Sequence, residues 1–482
     1  MKHSKLILAI STLALGFKVS AQDELGLRSS NFSGVNRLAL NPASAVGAPT
    51  KWSFNVIGAG AFANTRYVYL ENTSGINALR KLDAIRVSPS LSESNTTKDD
   101  GSVYYNFYAA NKKIGNSVNA FVTLPSFVFQ KNGKSFGLIL NARTAFSANR
   151  IDPDLDYFSL ANWDFAESKN IAKIKTAGMA WGEAGLHYGQ SLVETPKGQL
   201  NIGGTLKYLA GMDAYFVKSA KLSDVVKYSD SILVSNSAVT YGIATGLESD
   251  LSGYKPQVNG HGVGLDVGVE YKIASQDKQK PYQWKFGVSL MDLGFIRFGK
   301  NAQKHKVNVA QTFDILTASY EDIESIEDLY TINSTEALND PLQSKVADKF
   351  NLLTPAGISF QVDYAVHPMF YINATLNRRI RFDGPQVERE NFLSLTPRVE
   401  HKWFELGLPL VLYNDVEPRL GMWVRLAYLT VGSDNFTSLV MKQKKLHGTD
   451  IYMAVNLLCF GGNKKNGRSK KSMSNDSYGC YY

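Results

Sequence analysis

The stretch His261-Gly-Val-Gly-Leu-Asp-Val-Gly-Val-Glu-Tyr271 decides the fold. Val263, Leu265, Val267, Val269 and Tyr271 alternate with Gly262, Gly264, Asp266, Gly268 and Glu270. Successive side chains of a β-strand point to opposite faces, so this segment has one greasy face and one small or acidic face. Its length suits a tilted strand crossing a bilayer, and is about twice that of an ordinary globular strand. The pattern recurs in Gln283–Met291, where Trp284, Phe286, Val288 and Leu290 oppose Gln283, Lys285, Gly287 and Ser289. It recurs again in Gly357–Val366, where Ile358, Phe360, Val362, Tyr364 and Val366 oppose Gly357, Ser359, Gln361 and Asp363.

Working outward, similar segments cover 53–62, 102–110, 118–129, 135–146, 181–192, 199–209, 369–379, 392–401, 403–412, 418–431 and 450–460. Length and alternation together predict an all-β fold, a transmembrane antiparallel β-barrel of 14 strands. The rival is a large soluble β-sandwich or propeller. Tyr104, Tyr105, Trp181, Tyr271, Trp284, Trp403 and Trp423 flank the segments, as interfacial girdles would, although β-propensity also favours aromatics. Short connections such as Lys131-Asn-Gly-Lys134, Thr195-Pro-Lys-Gly198 and His367-Pro368 carry turn chemistry. Long ones run 147–180, 210–259 and 292–355. This trace, with 53–62 as the first upward strand, puts the long loops on the periplasmic side, against the usual rule. Two extra strands, near Ala84–Leu91 and from dividing 418–433, would repair it and raise the count to 16. Tyr320–Tyr330 reads as a loop helix with Ile323, Ile326 and Tyr330 on one face rather than a calcium loop, and 74–86 as another short helix.

Bulk composition is compatible with this reading without forcing it. The chain is 44% hydrophobic and 20% charged, and no apolar run after the N-terminus reaches the 18 residues a spanning helix needs. Lys2, Lys5, an apolar Leu6–Phe17 and Val19-Ser20-Ala21 read as an export signal over 1–21. Gln22 rather than a cysteine stands directly after the cut, which argues against a lipid anchor. The net charge of +9 collects at the ends. Lys2, Lys5 and Lys18 lie in the signal; Lys464, Lys465, Arg468, Lys470 and Lys471 lie in a Gly/Ser/Asn-rich tail over 461–482 that reads as disordered. That distribution excludes a nucleic-acid-binding face. Cys459 and Cys480 are either bridged or two unpaired thiols, and the envelope permits the bridge.

Residues 22–50 differ from the barrel region 51–460. Ser30-Asn-Phe-Ser-Gly-Val-Asn-Arg-Leu-Ala-Leu-Asn-Pro-Ala-Ser44 is rich in small and turn-forming residues. Pro42 pushes Asn41 away from helix, and an Asn side chain can cap neighbouring amides. Leu40-Asn-Pro-Ala-Ser44, placed before the first strand, resembles the Asn-Pro-Ala element of the long-chain fatty-acid transporter superfamily. Its members fold an N-terminal hatch inside a 14-stranded barrel, and they include the PorV-like barrels that serve type IX secretion. The longer pattern from Ser30, with Gly264-Leu-Asp-Val-Gly268, Ser289-Leu-Met-Asp-Leu-Gly294 and Val431-Gly-Ser-Asp-Asn435, is similar to an uncharacterised outer-membrane family of gliding-type bacteria. The resemblance implies a hatch motif at Asn41, Pro42, Ala43 and Ser44, and implies no particular activity.

Two functions follow as expectations, both in the outer membrane of a Gram-negative-type envelope. One is passive transport or channel activity for small or hydrophobic molecules, through a polar lumen partly filled by residues 22–50. Alternation assigns Asn141, Arg143, Lys207, Asp266, Glu270, Lys285, Gln361 and Asp363 to that lumen. The other is a non-enzymatic subunit of a secretion or assembly complex, docking envelope proteins or lipid head groups through long loops or the basic tail. No G-x-S-x-G, H-E-x-x-H or phosphate loop is present, and no Cys/His cluster has metal spacing, so neither catalysis nor a cofactor is expected.

Overall fold

The computed structural model describes residues 24–88, 101–108, 114–152, 165–171, 173–220, 223–247, 253–320 and 323–460. The segment 1–21 expected as an export signal, the basic tail 461–482 and Cys480 lie outside the described residues.

Fourteen antiparallel strands close into a barrel. They are β1 (Thr50–Thr65), β2 (Ile114–Thr123 with Ser126–Lys131), β3 (Lys134–Ile151), β4 (Lys175–Thr195) and β5 (Gly198–Ser219). β6 (Gly260–Ile273), β7 (Trp284–Phe298), β8 (Phe350–Leu353 with Gly357–His367), β9 (Phe370–Arg379) and β10 (Phe392–Glu400) follow. β11 (Phe404–Gly407 with Leu410–Tyr413), β12 (Glu417–Leu420 with Met422–Leu426), β13 (Leu429–Ser433) and β14 (Gly448–Phe460) complete it. Closure is made by β1, which pairs with β14 on one side and β2 on the other, leaving no free edge. Pro125, Pro355 and Pro409 stand at the breaks in β2, β8 and β11, where a residue without an N–H interrupts the ladder. Asn132 and Gly133, both at positive φ, make the tight turn from β2 to β3.

The exterior is what lipid requires. Val263, Leu265, Val269, Tyr271, Trp284, Phe286, Val288 and Phe360 are all exposed, while Asp266, Glu270, Ser289, Gln361 and Asp363 on the same strands are buried. Phe127, Phe129, Phe136 and Tyr188 form a contiguous aromatic row with centroid spacings of 6.4, 5.4 and 5.3 Å. No helix among the described residues is long and apolar enough to cross a membrane. A closed barrel with an apolar outside and a polar inside is a protein of the bacterial outer membrane.

The strand count agrees with the 14 expected, but only because two errors cancel. Val103–Phe107, read as a spanning strand, instead joins Val68–Thr73, Ile85–Val87 and Gln443–Leu446 in a separate sheet at the long-loop end. The segment 418–431 is two strands, β12 and β13, folded at Ala427 with φ +50°. Removing one strand early and adding one late moves every long connection to the same end, so 16 strands are not needed. A second four-stranded sheet (Ser168–Ile171, Ser223–Lys227, Ser231–Ser235, Phe313–Leu316) also stands at the long-loop end. The loop helix runs Ile326–Leu338 instead of 320–330, because Ser325 and Asp328 form a capping box that starts it there. The helix expected within 74–86 covers Gly75–Arg80. Trp181 and Trp423, expected in the girdles, are each 1% exposed inside the barrel, and Tyr104 and Tyr105 belong to the side sheet.

Candidate functional site

Residues 24–49 occupy the lumen. Leu25, Leu27, Val35, Leu38, Ala43 and Val46 are all buried there. A short helix, Leu25–Arg28, is followed by two 3-10 turns, Gly34–Ala39 and Pro42–Ala45. Asn41 stays extended and its side chain accepts from the Ala43 amide at 3.0 Å, the local consequence of Pro42 holding the first helical position. The same side chain donates to Gln361 Oε1 at 3.0 Å and to the Val269 carbonyl at 3.1 Å. Ser44 Oγ donates to the Asn41 carbonyl at 2.7 Å, and Ser289 Oγ donates to that of Leu40 at 2.6 Å.

The wall is cut away to receive this turn. Gly189, Gly203 and Gly268 pair in register across β4, β5 and β6. A Cβ at Gly203 would stand 2.6 Å from the Pro42 carbonyl carbon, one at Gly268 2.1 Å from Asn41 Oδ1, and one at Gly189 2.9 Å from a Val46 methyl. Only a residue without a side chain lets the segment approach this closely. At the short-turn end Lys272 Nζ donates to the carbonyls of Val46 and Gly47, both at 3.0 Å.

All eight lumen residues assigned by alternation face inward; Gln361 holds Asn41, and the other seven sort into two belts. In the first, Asp292 receives Arg143 at 2.8 Å, Lys207 at 2.8 Å and Arg389 at 2.7 Å. Lys207 also meets Asp266 at 2.6 Å, and Asn141 donates to Glu183 at 2.7 Å. Arg143 lies over the Trp181 ring at 5.0 Å. In the second belt, Arg398 grips Asp363 with both terminal nitrogens, at 3.1 and 2.6 Å, and turns its Nε to Glu400. Lys285 stands 3.3 Å from Asp363 and Glu270 3.2 Å from Lys272. Asn31 of the N-terminal segment donates to Glu400 Oε2 and to the Tyr282 hydroxyl, both at 2.8 Å, and Tyr282 donates to Asp363 at 3.0 Å. The second belt thus clamps the segment, with Ser30 bonded to Glu405 at 2.7 Å beside Arg425.

A loop from the opposite end enters the lumen above the first belt. Val387 is 0% exposed in an apolar cluster with Trp181, Leu209, Phe216 and Leu352. Its amide donates to the Leu353 carbonyl at 3.2 Å, and the Glu388 amide donates to Ser147 Oγ at 2.8 Å. Arg389, from this loop, is the third cation on Asp292. Between loop and N-terminal segment lies a cavity of about 60 Å³, walled by Leu27, Leu38, Phe121, Ile139 and Met291 as well as the first belt. Such a space holds a few waters.

Glu183, Asp292, Arg389 and Arg398 were missed by the sequence reading. Glu183 and Arg398 lie on inward positions and were available from alternation. Asp292 was not: parity from Trp284 points it outward, but a bulge opposite Leu265–Val267 gives it φ +54° and turns it in beside Met291. Cys459 is buried on β14, and the choice between a bridge to Cys480 and two separate thiols turns on a residue outside those described. Among the described residues no group of His, Cys, Asp and Glu is placed to hold a metal ion.

No curated protein matches the chain. Among solved structures it is similar to the toluene transporter TodX of Pseudomonas putida, at 9% identity and a TM-score of 0.37, covering 89% of this chain and 94% of that one. It is similar also to the toluene transporter TbuX of Ralstonia pickettii, at 8% identity and a TM-score of 0.37, covering 88% and 92%. Similarities this distant say nothing of cargo. The family profile described as "Family of unknown function (DUF5723)" matches residues 60–434, most of the barrel, and the chain belongs to that family.

Proposed function

We propose that this protein is a passive outer-membrane transporter for small, partly apolar molecules, closed in this state by two plugs. Residues 22–50 act as the hatch on the periplasmic side, with Asn41, Pro42, Ala43 and Ser44 as its anchoring turn. The loop carrying Val387 and Arg389 closes the outer side. The observation that supports this reading is the small chamber between the plugs, whose mixed apolar and charged lining is polar enough to be wet and apolar enough to pass a hydrophobic solute. Removing a single latch should bias the closed state without unfolding the barrel. Arg389→Ala removes one charge-assisted bond, worth ~1.5–3 kcal/mol, so the open population should rise about tenfold or more. Planar-bilayer recordings of the purified chain would show longer and more frequent openings in the variant. A variant as silent as an unopened wild type would sink the transporter reading.

A second reading, a non-enzymatic subunit of a secretion or assembly complex, draws on the two extra sheets and the helix that extend the long-loop end. A silent barrel that co-purifies with a defined envelope complex would favour it.

A further inference from the structure

The outer wall of β5–β8 carries two rows of side chains in lateral register. The lower row is Tyr208, Val263, Phe295 and Leu353; the upper row is Ala210, His261, Arg297 and Asn351. Tyr208, Val263 and Phe295 are 50%, 54% and 40% exposed on the lipid side. His261, Arg297 and Asn351 are exposed directly above them, and Lys349 is exposed just before β8, its Cβ 4.0 Å from where a Cβ at Gly299 would stand. Neither row holds a carboxylate. Asp348, the nearest exposed acid in sequence, is paired to Lys345 at 2.7 Å.

The height of this change is informative. From Trp284 to Phe295 on β7 the wall climbs ~25 Å, taking ~3.3 Å per residue, a tilt of ~40° and one residue absorbed by the bulge. An outer-membrane barrel shows lipid an apolar band of about that height. Arg297, His261 and Lys349 therefore stand just beyond the hydrocarbon edge on the long-loop side, at the level of the outer-leaflet head groups. The Tyr208 hydroxyl and His261 Nδ1 share a hydrogen bond of 2.6 Å, which orients the ring and leaves Nε2 able to donate to a ligand in any form that carries its proton. On β6 and β7, His261 and Arg297 are directly paired neighbours. Two outward donors so close, one of them a cation, repel any further positive charge and are relieved by an anion between them.

We propose that Arg297, His261 and Lys349 form a binding site for the phosphorylated head group of an outer-leaflet lipid, whose chains lie against Tyr208, Val263 and Phe295. The site is independent of what crosses the lumen. Arg297 supplies the planar fork that suits a phosphate, Lys349 a point charge, and His261 a ring nitrogen held in place by Tyr208.

The test uses the full chain in detergent, titrated with bisphosphorylated lipid A and with the same lipid stripped of phosphate, and read by native mass spectrometry. The wild type should retain the phosphorylated lipid about tenfold more tightly than the stripped one, the weight of a charge-assisted bond. Arg297→Gln should lose that preference, and Asn351→Glu, which sets an acid in the same row, should lose it more completely. Lys349→Gln gives an independent reading should Arg297→Gln fold poorly. Lys134→Gln, at the far rim, should bind as wild type. Equal binding of both lipids by the wild type, unchanged preference in Arg297→Gln and Asn351→Glu, or an equal loss in Lys134→Gln would each overturn the proposal.

Discussion

Two glycines on one face of β6 make an internally controlled test of how the N-terminal segment is seated. At Gly268 an added Cβ would lie 2.1 Å from Asn41 Oδ1, 3.0 Å from its Cγ and 3.1 Å from Pro42 Cδ. At Gly264 the nearest atoms are Lys207 Cβ at 3.4 Å and Leu209 Cδ1 at 3.5 Å, ordinary contact. Both substitutions to alanine cost the strand nothing in propensity, so any difference between them reports the seat. In Gly268→Ala the Asn41 side chain must withdraw by about an ångström or more to restore van der Waals distance. That breaks or stretches its bonds to Gln361, to the Val269 carbonyl and to the Ala43 amide. Three such bonds at a net ~0.5–1.5 kcal/mol each come to about 2–4 kcal/mol against docking. Hydrogen exchange of the amides of residues 40–46 in detergent or nanodiscs reads this directly as local opening. Exchange should quicken by roughly thirty- to several-hundred-fold in Gly268→Ala, and scarcely at all in Gly264→Ala. Equal protection in the two variants would refute the claim that the glycine row exists to admit the Asn41–Pro42 turn.

Other expectations are as direct. Arg398→Met takes the guanidinium from buried Asp363 and Glu400 and leaves Asp363 only Lys285 at 3.3 Å, a loss of up to ~3–5 kcal/mol; the barrel should lose its compact gel migration at a lower temperature. The double change Asp363→Leu with Arg398→Met should recover part of that loss, since the uncompensated charge goes with its partner. Outside the membrane, His305 is sandwiched between Tyr241 at 5.0 Å and Tyr330 at 4.3 Å. Burial, helped by the charge of Lys345, lowers its pKa to about 4. An unfolded loop takes the proton first, so the packing of helix Ile326–Leu338 should be intact above the ordinary histidine pKa of about 6.5 and weaken as pH falls toward 4. Exchange protection of that helix measured between pH 7 and 4 should show this, and His305→Gln should flatten the profile. The Arg389→Ala recordings and the Arg297 lipid titration complete the set.

Much of the candidate site was legible one strand at a time. Asp266, Glu270, Gln361 and Asp363 could be assigned to the interior because each alternates with residues only lipid would tolerate. The Asn-Pro-Ala-Ser turn was legible too, since Pro42 and a capping Asn41 specify their own geometry. Val103–Phe107 misled because its alternation is genuine but serves a side sheet; a pleat reports that one face is apolar, without saying which sheet or solvent it meets. Pairs within the lumen were not legible at all. Nothing near Arg389 in the chain indicates that its loop turns inward to reach a carboxylate on β7.

By itself the sequence determined which face of most spanning strands meets lipid, since that depends on parity and parity is local until a bulge resets it. It determined likewise where the tight turns fall, through Asn132-Gly133, Pro196 and Pro368. Only the tertiary structure decided what fills the barrel. A bulge re-aimed Asp292, three cations from separate strands and a loop converged on it, and three glycines in register opened a seat for Asn41. Those outcomes depend on which strands become neighbours and at what stagger, and closure of the cylinder is the only event that sets either.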